Sequence, residues 1–284
     1  MYIQTGRILK SISLNKNANQ NFNDSSKSSS PFEERGYRGE VDLNCDMGEG
    51  VGNDELIMPY ISSANIACGF HAGDEETIWQ TVVLALKYKV AVGAHPSFLD
   101  KKNFGRTEIN MSSEEIYELV TQQLILFDEI ASDADVAIHH VKPHGALYNI
   151  SAKNSSIAKA IANAVKDYNK DLVLFGLSGS YSITEAKTIG LKTASEVFAD
   201  RTYQDDGTLT SRTQPNALIK DSDQAIQQVL QMIKNGTVVT VSGKTIRIVA
   251  ETICIHGDGE NAVEFARRIN NALKENNIAI RSNK

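Results

Sequence analysis

From Val41 onward the chain repeats one unit, and that repetition constrains its fold more than any other feature. A short apolar run ends in a glycine-rich or charged cluster, and most such runs lead into a segment of helical period. The apolar runs cover 41–45, 64–68, 90–94, 137–141, 172–177, 192–197 and 248–255. Helices are predicted over 54–62, 74–87, 112–131, 155–169, 180–189 and 221–235, with 259–276 closing the chain. Ser112 stands three residues before Glu115, the spacing of a capping box. Asp221 opens a later helix less specifically. Strands that alternate with helices pair in parallel, because each crossover returns the chain to the same end of the sheet. The exception is 238–241 against 245–249, which reads as a small hairpin around Ser242 and Gly243.

Seven such strands can make an open doubly wound sheet or a closed barrel. An open sheet gathers its ligand contacts at one switch point, whereas a barrel distributes them around its C-terminal mouth. Here every strand ends in a polar cluster, so the expected fold is α/β, a seven-stranded parallel β/α barrel of TIM-like kind.

The segment before the repeat is different in kind. Residues 15–31 are almost entirely Asn, Ser, Lys, Asp and Gln, with Phe22 the one large apolar side chain. Such a stretch buries too little surface to offset its ordering entropy, so 1–39 is expected to be a disordered leader and 40–284 the single folded domain. Residues 2–14 carry Arg7 and Lys10 and no acid, a weak likeness to a transit peptide without the apolar core of a secretory signal.

Hydrophobic residues form 41% of the sequence, enough for a sizeable core, while a formal charge of −6 gives no basic field for nucleic acid. No apolar run approaches the roughly 18 residues of a membrane span. Cys45, Cys68 and Cys254 lie far apart and form no CxxC pair, which favours packing roles in a reducing, cytoplasmic compartment.

The strand ends carry the chemistry. The first offers Asp42, Asn44, Asp46 and Glu49; Asp42 and Asn44 share a face, which Asp46 continues if the chain stays extended. Acids this crowded suit a hard cation, a substrate amide or a base, and they also suit plain loop and cap positions. The second and third ends place His71 three residues before Asp74, and then His95. Histidine in a glycine-flanked turn can bind metal or shuttle a proton, while Asp74 equally fits a helix N-cap.

The fourth end is densest, with His139, His140, Lys142, His144 and Tyr148. Lys142 and His144 share a face if the strand runs on through Pro143, joining a cation for an oxyanion or phosphate to a proton-transfer group. His139 and His140 point to opposite faces, so at most one reaches the site. Later ends add Glu196, Asp200 and Arg201, then His256 and Asp258. Arg201 has the fork that clamps a carboxylate, or else forms a surface pair with Asp200. Ser242-Gly243-Lys244-Thr245 looks like the end of a phosphate-binding P-loop, but Val238 occupies the first glycine's place and the segment joins two strands.

In order along the chain, VDLNCDMGEG, SSANIACGFHAGD, GAHPSF, NFGR, VKPHGALYN, EVFADRTYQDDG and CIHGDGE resemble the successive motifs of the LamB/YcsF family. The likeness runs from about Val41 to Ile278. It implies a barrel of the glycoside hydrolase/deacetylase type and the role of the A-type subunit in a three-subunit bacterial 5-oxoprolinase. That enzyme opens 5-oxoproline to L-glutamate with ATP as co-substrate, and two further subunits, of B and C type, are required. The leader has no counterpart in the family pattern.

Lactam opening through a phosphorylated carbonyl needs a base for water, a donor for the oxyanion, an acid for the ring nitrogen and a carboxylate clamp. The expected catalytic residues are Asp46 or His71 as base, Lys142 at the oxyanion or phosphate, and His144 as acid. Arg201 would hold the substrate carboxylate, and Asp42, Asn44, Glu49, Asp74, His95, Glu196, Asp200, His256 and Asp258 complete the binding set. Which of the three subunits binds ATP, and whether a divalent metal takes part, stay open. Two alternatives are a metal-dependent deacetylase-like hydrolase of N-acylated sugars, with the same histidines and Asp46 as ligands, and a non-catalytic binding subunit.

Overall fold

The computed structural model describes residues 39–257 and 262–283. The expected leader, apart from Gly39, and the expected site residue Asp258 lie outside the described residues.

In chain order the strands are β1 (Glu40–Met47), β2 (Ser63–Ala67), β3 (Ala91–His95), β4 (His140–Val141), β5 (Val173–Leu177), β6 (Lys192–Phe198), β7 (Thr237–Val239), β8 (Thr245–Arg247), β9 (Thr252–Ile255) and β10 (Ala279–Ile280). The helices are α1 (Asp54–Ile57), α2 (Glu75–Tyr88), α3 (Ser113–Ser132), α4 (Gly145–Lys153), α5 (Ser155–Tyr168), α6 (Tyr181–Thr188), α7 (Ser222–Asn235) and α8 (Ala262–Glu275). Among the described residues, seven parallel strands close into a barrel in the order β1-β2-β3-β4-β5-β6-β9. β1 pairs with β2 on one side and with β9 on the other, Asp42 opposite Thr252 and Cys45 opposite Ile255, so the sheet has no open edge there. β10 adds to the base of β1, Glu40 opposite Ala279.

Local signals account for much of this. The Ser112 hydroxyl accepts from the Glu115 amide while Glu115 Oε2 accepts from the Ser112 amide, the reciprocal capping box that opens α3. Asp221 caps α7 through the Gln224 amide. Pro59 ends α1 early, and a 3-10 turn over Met58–Tyr60 completes what periodicity predicts as one helix. β7 and β8 form the expected hairpin, with the P-loop-like segment as its turn.

Two differences concern the barrel wall. The fourth strand is two residues long and does not run on through Pro143, which has no N–H to give a ladder. Instead Gly145, at φ +57°, turns the chain into α4, a helix absent from the sequence-based expectation. β10 is likewise additional, being too short for alternation to register.

The strands are buried on both faces, with the polarity of the two faces inverted relative to an oily lumen. On β1 the residues Leu43, Cys45 and Met47 join the apolar core, while Asp42, Asn44 and Asp46 project inward, Asp42 bonding to the neighbouring strands and Asn44 and Asp46 across the lumen. α2, α3, α6 and α8 pack on the strands, α5 lies against α3 and α6, and α7 against α8. Burial of the apolar layer drives folding at roughly 1.5–3 kcal/mol for each large side chain. The polar lumen decides what the barrel can do. No helix among the described residues is long and apolar enough to cross a membrane.

Candidate active site

The C-terminal ends of the strands surround a cleft of about 550 Å³, lined by Asp46, Glu49, His95, Lys142, His144 and Tyr148 from one side. Phe198, Arg201 and His256 line it from the other. Its floor is set by Lys142, which β4 delivers into the lumen just before Pro143. The ammonium lies 2.9 Å from Asp46 Oδ1, 2.9 Å from Glu196 Oε1 and 3.3 Å from Asn44 Oδ1. Burial opposes the charge on Lys142, but Asp46 and Glu196 outweigh it and hold the amine well above the ordinary lysine value. Burial would likewise raise the Asp46 carboxyl; Lys142, and then His95, hold it well below the usual range. Lys142 is therefore cationic and Asp46 anionic at neutral pH.

Two polar atoms beside this group have no hydrogen-bond partner among the described residues: Glu196 Oε2 and the Tyr148 hydroxyl, both buried. Burial, with Glu196 beside it, keeps the Tyr148 phenol well above its usual value, so it remains a donor. A buried polar atom left unsatisfied costs on the order of 1–3 kcal/mol, which a ligand group would recover.

A second cluster stands over the first. His71 and His144 stack with ring centroids 3.8 Å apart, and His95 meets both edge-on. Glu49 Oε1 lies 3.3 Å from His71 Nε2 and 3.7 Å from His144 Nδ1. The loop carrying Phe104 and Gly105 seals this cluster. A Cβ on Gly105 would fall 2.9 Å from His71 Cβ, at a backbone φ of +65° that favours glycine in any case. Burial pushes His71 down to about 3, and drives His144 well below the ordinary histidine value, so both rings are neutral at pH 7.

On the opposite wall, His256 Nδ1 donates to Asp200 at 2.7 Å from Oδ2, which fixes the ring's orientation and tautomer. Burial would raise Asp200, but His256 lowers it below the usual carboxylate value. Arg201 is buried and gives Nε to the Ala217 carbonyl and Nη2 to the Thr210 carbonyl. Burial, with Arg212 nearby, lowers its pKa to about 10, still cationic at neutral pH.

The structure brings Asp46, Glu49, His95, Lys142, His144, Arg201 and His256 to the cleft, with His71, Glu196 and Asp200 directly behind. Asn44 lies deeper, donating to Glu196 and Thr252. Asp42 is deeper still, at the closed floor, where it accepts from the hydroxyls of Ser62, Ser63 and Thr252. Asp74 is not part of the group. It is exposed and caps α2 by accepting from the Thr77 amide and hydroxyl, the local role its position before a helix allows. His140 is the inward member of its pair, bonded to Asn65 and stacked on Phe175 below the cleft, while His139 reaches the Asn283 carbonyl. Sequence reasoning counts Tyr148 in the fourth cluster but gives it no role, because nothing in the local pattern announces α4, which presents it. It misses Asn65, Ser97 and Gln123, ordinary polar residues whose signal is only their burial. All three cysteines are free and buried. Burial drives Cys254, 3.1 Å from Lys142 Nζ, well above the usual thiol value, which suits a neutral packing group better than a nucleophile.

Comparison with known proteins gives four matches. The model of the LamB/YcsF family matches residues 41–284. The A-type 5-oxoprolinase subunit of Bordetella parapertussis is 52% identical over 247 residues, covering 85% of this chain and 98% of that protein. Its counterpart of the same name from Shouchella clausii is 53% identical over 247 residues, with the same coverage. Among solved structures, a lactam utilization protein from Thermus thermophilus superposes with a TM-score of 0.80 at 39% identity, covering 86% of this chain and 100% of that one.

Proposed function

Because the chain belongs to the LamB/YcsF family, we propose that it is the A-type subunit of an ATP-dependent 5-oxoprolinase. The observation that carries this reading is identity at about half of all positions to proteins named as A-type subunits of 5-oxoprolinase, over nearly their whole length. The cleft supports it independently. It has the size of a small-molecule pocket, a buried lysine between carboxyl groups, and a buried arginine in its opposite wall.

On this proposal ATP phosphorylates the lactam carbonyl oxygen, water attacks the activated carbon, the ring nitrogen leaves with a proton, and a second water hydrolyses the resulting acyl phosphate to glutamate and phosphate. Lys142 stabilises the negative oxygen. Asp46 is the better base than His71, because it lines the cleft and is ionised, whereas His71 sits behind the wall. The acid role fits His256, carrying hydrogen on both ring nitrogens, better than His144. His256 is oriented by Asp200 through Nδ1, so its other nitrogen remains for the substrate, while both His144 nitrogens face protein partners. Arg201 has N–H groups beyond the two given to backbone carbonyls, and these would hold the substrate carboxylate. The B-type and C-type subunits complete the enzyme, and ATP binds either here or on them.

The test is glutamate release from 5-oxoproline and ATP by the assembled three-subunit mixture, with and without this chain. Glutamate that depends on this chain is the expected result. Equal release in its absence would remove the proposal.

A further inference from the structure

The cluster over Lys142 has a feature that lactam opening does not require. Each of its three histidines spends one ring nitrogen on a fixed acceptor. His95 Nδ1 lies 2.6 Å from the Lys142 carbonyl and His144 Nε2 lies 2.9 Å from the Phe104 carbonyl. A carbonyl only accepts, so both of those nitrogens carry hydrogen. His71 Nδ1 lies 2.9 Å from Ser97 Oγ, and Ser97 donates its own hydrogen to the Phe98 carbonyl, so His71 Nδ1 donates as well.

The other nitrogens converge, those of His71 and His144 as lone pairs, while His95 Nε2 also lies 3.4 Å from Asp46 Oδ2. His144 Nδ1 and His95 Nε2 are 2.9 Å apart, and His71 Nε2 faces Glu49 Oε1 at 3.3 Å. One ligand atom from each of Glu49, His71, His95 and His144 lies within 4.8 Å of all the others. Lone pairs brought this close repel unless a positive centre stands among them, either a proton on His95 Nε2 or a metal ion that displaces it. A tetrahedral ion with bonds of about 2.0–2.1 Å spaces its ligands roughly 3.4 Å apart, close to the 2.9, 3.3 and 3.7 Å of three pairs here and inside the 4.8 Å that bounds the whole group. The outer hydrogen bonds are those that orient metal-bound imidazoles. They have their own support: Gln123 of α3 grips Ser97 by its amide and its carbonyl, both at 2.9 Å, and Ser97 in turn holds His71.

We propose that Glu49, His71, His95 and His144 bind one first-row divalent cation, with zinc the best match to three imidazoles and a carboxylate in a four-coordinate site. The assignment stands on these side chains alone and does not depend on the 5-oxoprolinase reading. Glu49, His95 and His144 line the cleft, so the ion is at its wall, where four protein ligands make it a closed centre that holds the mouth in shape.

The experiment uses the purified full chain, stripped with chelator and titrated with Zn²⁺ and, separately, Co²⁺. Metal content is read by elemental analysis and geometry by visible absorption. One equivalent of tightly held ion, with the intense bands of tetrahedral Co²⁺, is expected. His71→Ala and His144→Ala should weaken binding by at least about 100-fold, and Gln123→Leu by about 10- to 100-fold through loss of orientation. His256→Ala should retain the ion, which separates this site from the neighbouring Asp46, Cys254 and His256. Circular dichroism melts check that each variant folds, and the binding constant of Gln123→Leu, which leaves every ligand in place, serves if the alanine variants do not. No stoichiometric uptake by the folded wild type, full binding by His71→Ala, or loss of the ion in His256→Ala would each overturn the assignment.

Discussion

The floor and the mouth of the barrel lumen are built from the same residue types and behave as opposites. At the floor, Asp42 is buried, yet its carboxyl accepts from three hydroxyls, those of Ser62, Ser63 and Thr252. At the mouth, three imidazoles and a glutamate turn one ligand atom each toward one point, and Glu196 Oε2 and the Tyr148 hydroxyl lack hydrogen-bond partners among the described residues. Both places are buried, and both are rich in polar groups. What differs is whether the polar atoms are satisfied by the protein itself. A satisfied network holds a fold together; an unsatisfied one is stable only if something else completes it.

The contrast is broken most severely at the junction of the two regions. Lys142→Met removes the cation between Asp46 and Glu196 and leaves two buried carboxyl groups without it. Glutamate formation by the assembled enzyme should fall by about 100-fold or more, on the scale of losing one oxyanion donor. Stability should fall by about 3–5 kcal/mol in urea unfolding, the cost typical of breaking a buried ion pair. Wild-type turnover in Lys142→Met would make the mouth a structural network like the floor.

Protons sharpen the same comparison, because the two regions respond with opposite sign. His140 in mid-lumen is held well below the ordinary histidine value, mainly by burial, and His71 at the mouth at about 3. Below about pH 6.5 the unfolded chain binds protons that these folded rings refuse. Each therefore lends stability that is present near neutral pH and lost as pH falls, with a limiting slope of about 1.4 kcal/mol per pH unit. Asp42 is raised by burial, so its folded form keeps a proton that the unfolded chain releases, and its contribution declines as pH rises. Unfolding at pH 7 and pH 5 should show a shallower loss in His140→Gln than in wild type. An identical slope would mean that His140 is charged in the fold.

The floor itself gives a smaller effect, confined to stability. Asp42→Ala leaves three hydroxyls without their acceptor and should cost about 1–3 kcal/mol, measured by chemical unfolding. The KM and kcat of the folded variant in the assembled enzyme should be unchanged. A large fall in kcat at full folding would move Asp42 into the site.

The sequence carries the barrel well, because strand alternation, the capping box at Ser112 and the repeated polar strand ends are local signals that the fold agrees with. It carries the clustering of Asp46, Lys142, His95 and His256 for the same reason: residues at strand ends share a mouth once the barrel closes. It fails where tertiary context decides. Whether Asp42 meets hydroxyls or a ligand depends on how deep its strand is set, and neither depth nor partners leave a trace along the chain. The turn at Gly145 reads as a strand continuing, since a two-residue strand has no period to interrupt. Tyr148 is therefore visible in its cluster but without a role, and Gln123, which acts on His71 only through Ser97, is not visible at all.

Asp74 offers the mildest perturbation and a clean control on this division. The residue lies in the same motif as His71, where the sequence fits it to a binding role or to a helix N-cap, and the fold puts it on the surface at the start of α2. Its Oδ1 accepts from the Thr77 amide at 2.9 Å and from the Thr77 hydroxyl at 2.6 Å. Hydrogen bonds to the ionised form lower its pKa, the signature of an N-cap carboxylate. Removing the cap frees one amide of the first turn to water, which replaces most of the lost bond. Asp74→Ala should therefore lower the melting temperature by only a few degrees, and Asp74→Ser should restore it, because serine also caps. Neither variant should alter metal stoichiometry or glutamate release. If Asp74→Ala abolished activity while keeping its fold, the site would extend beyond the barrel mouth, and satisfaction by local partners would no longer distinguish structural residues from functional ones.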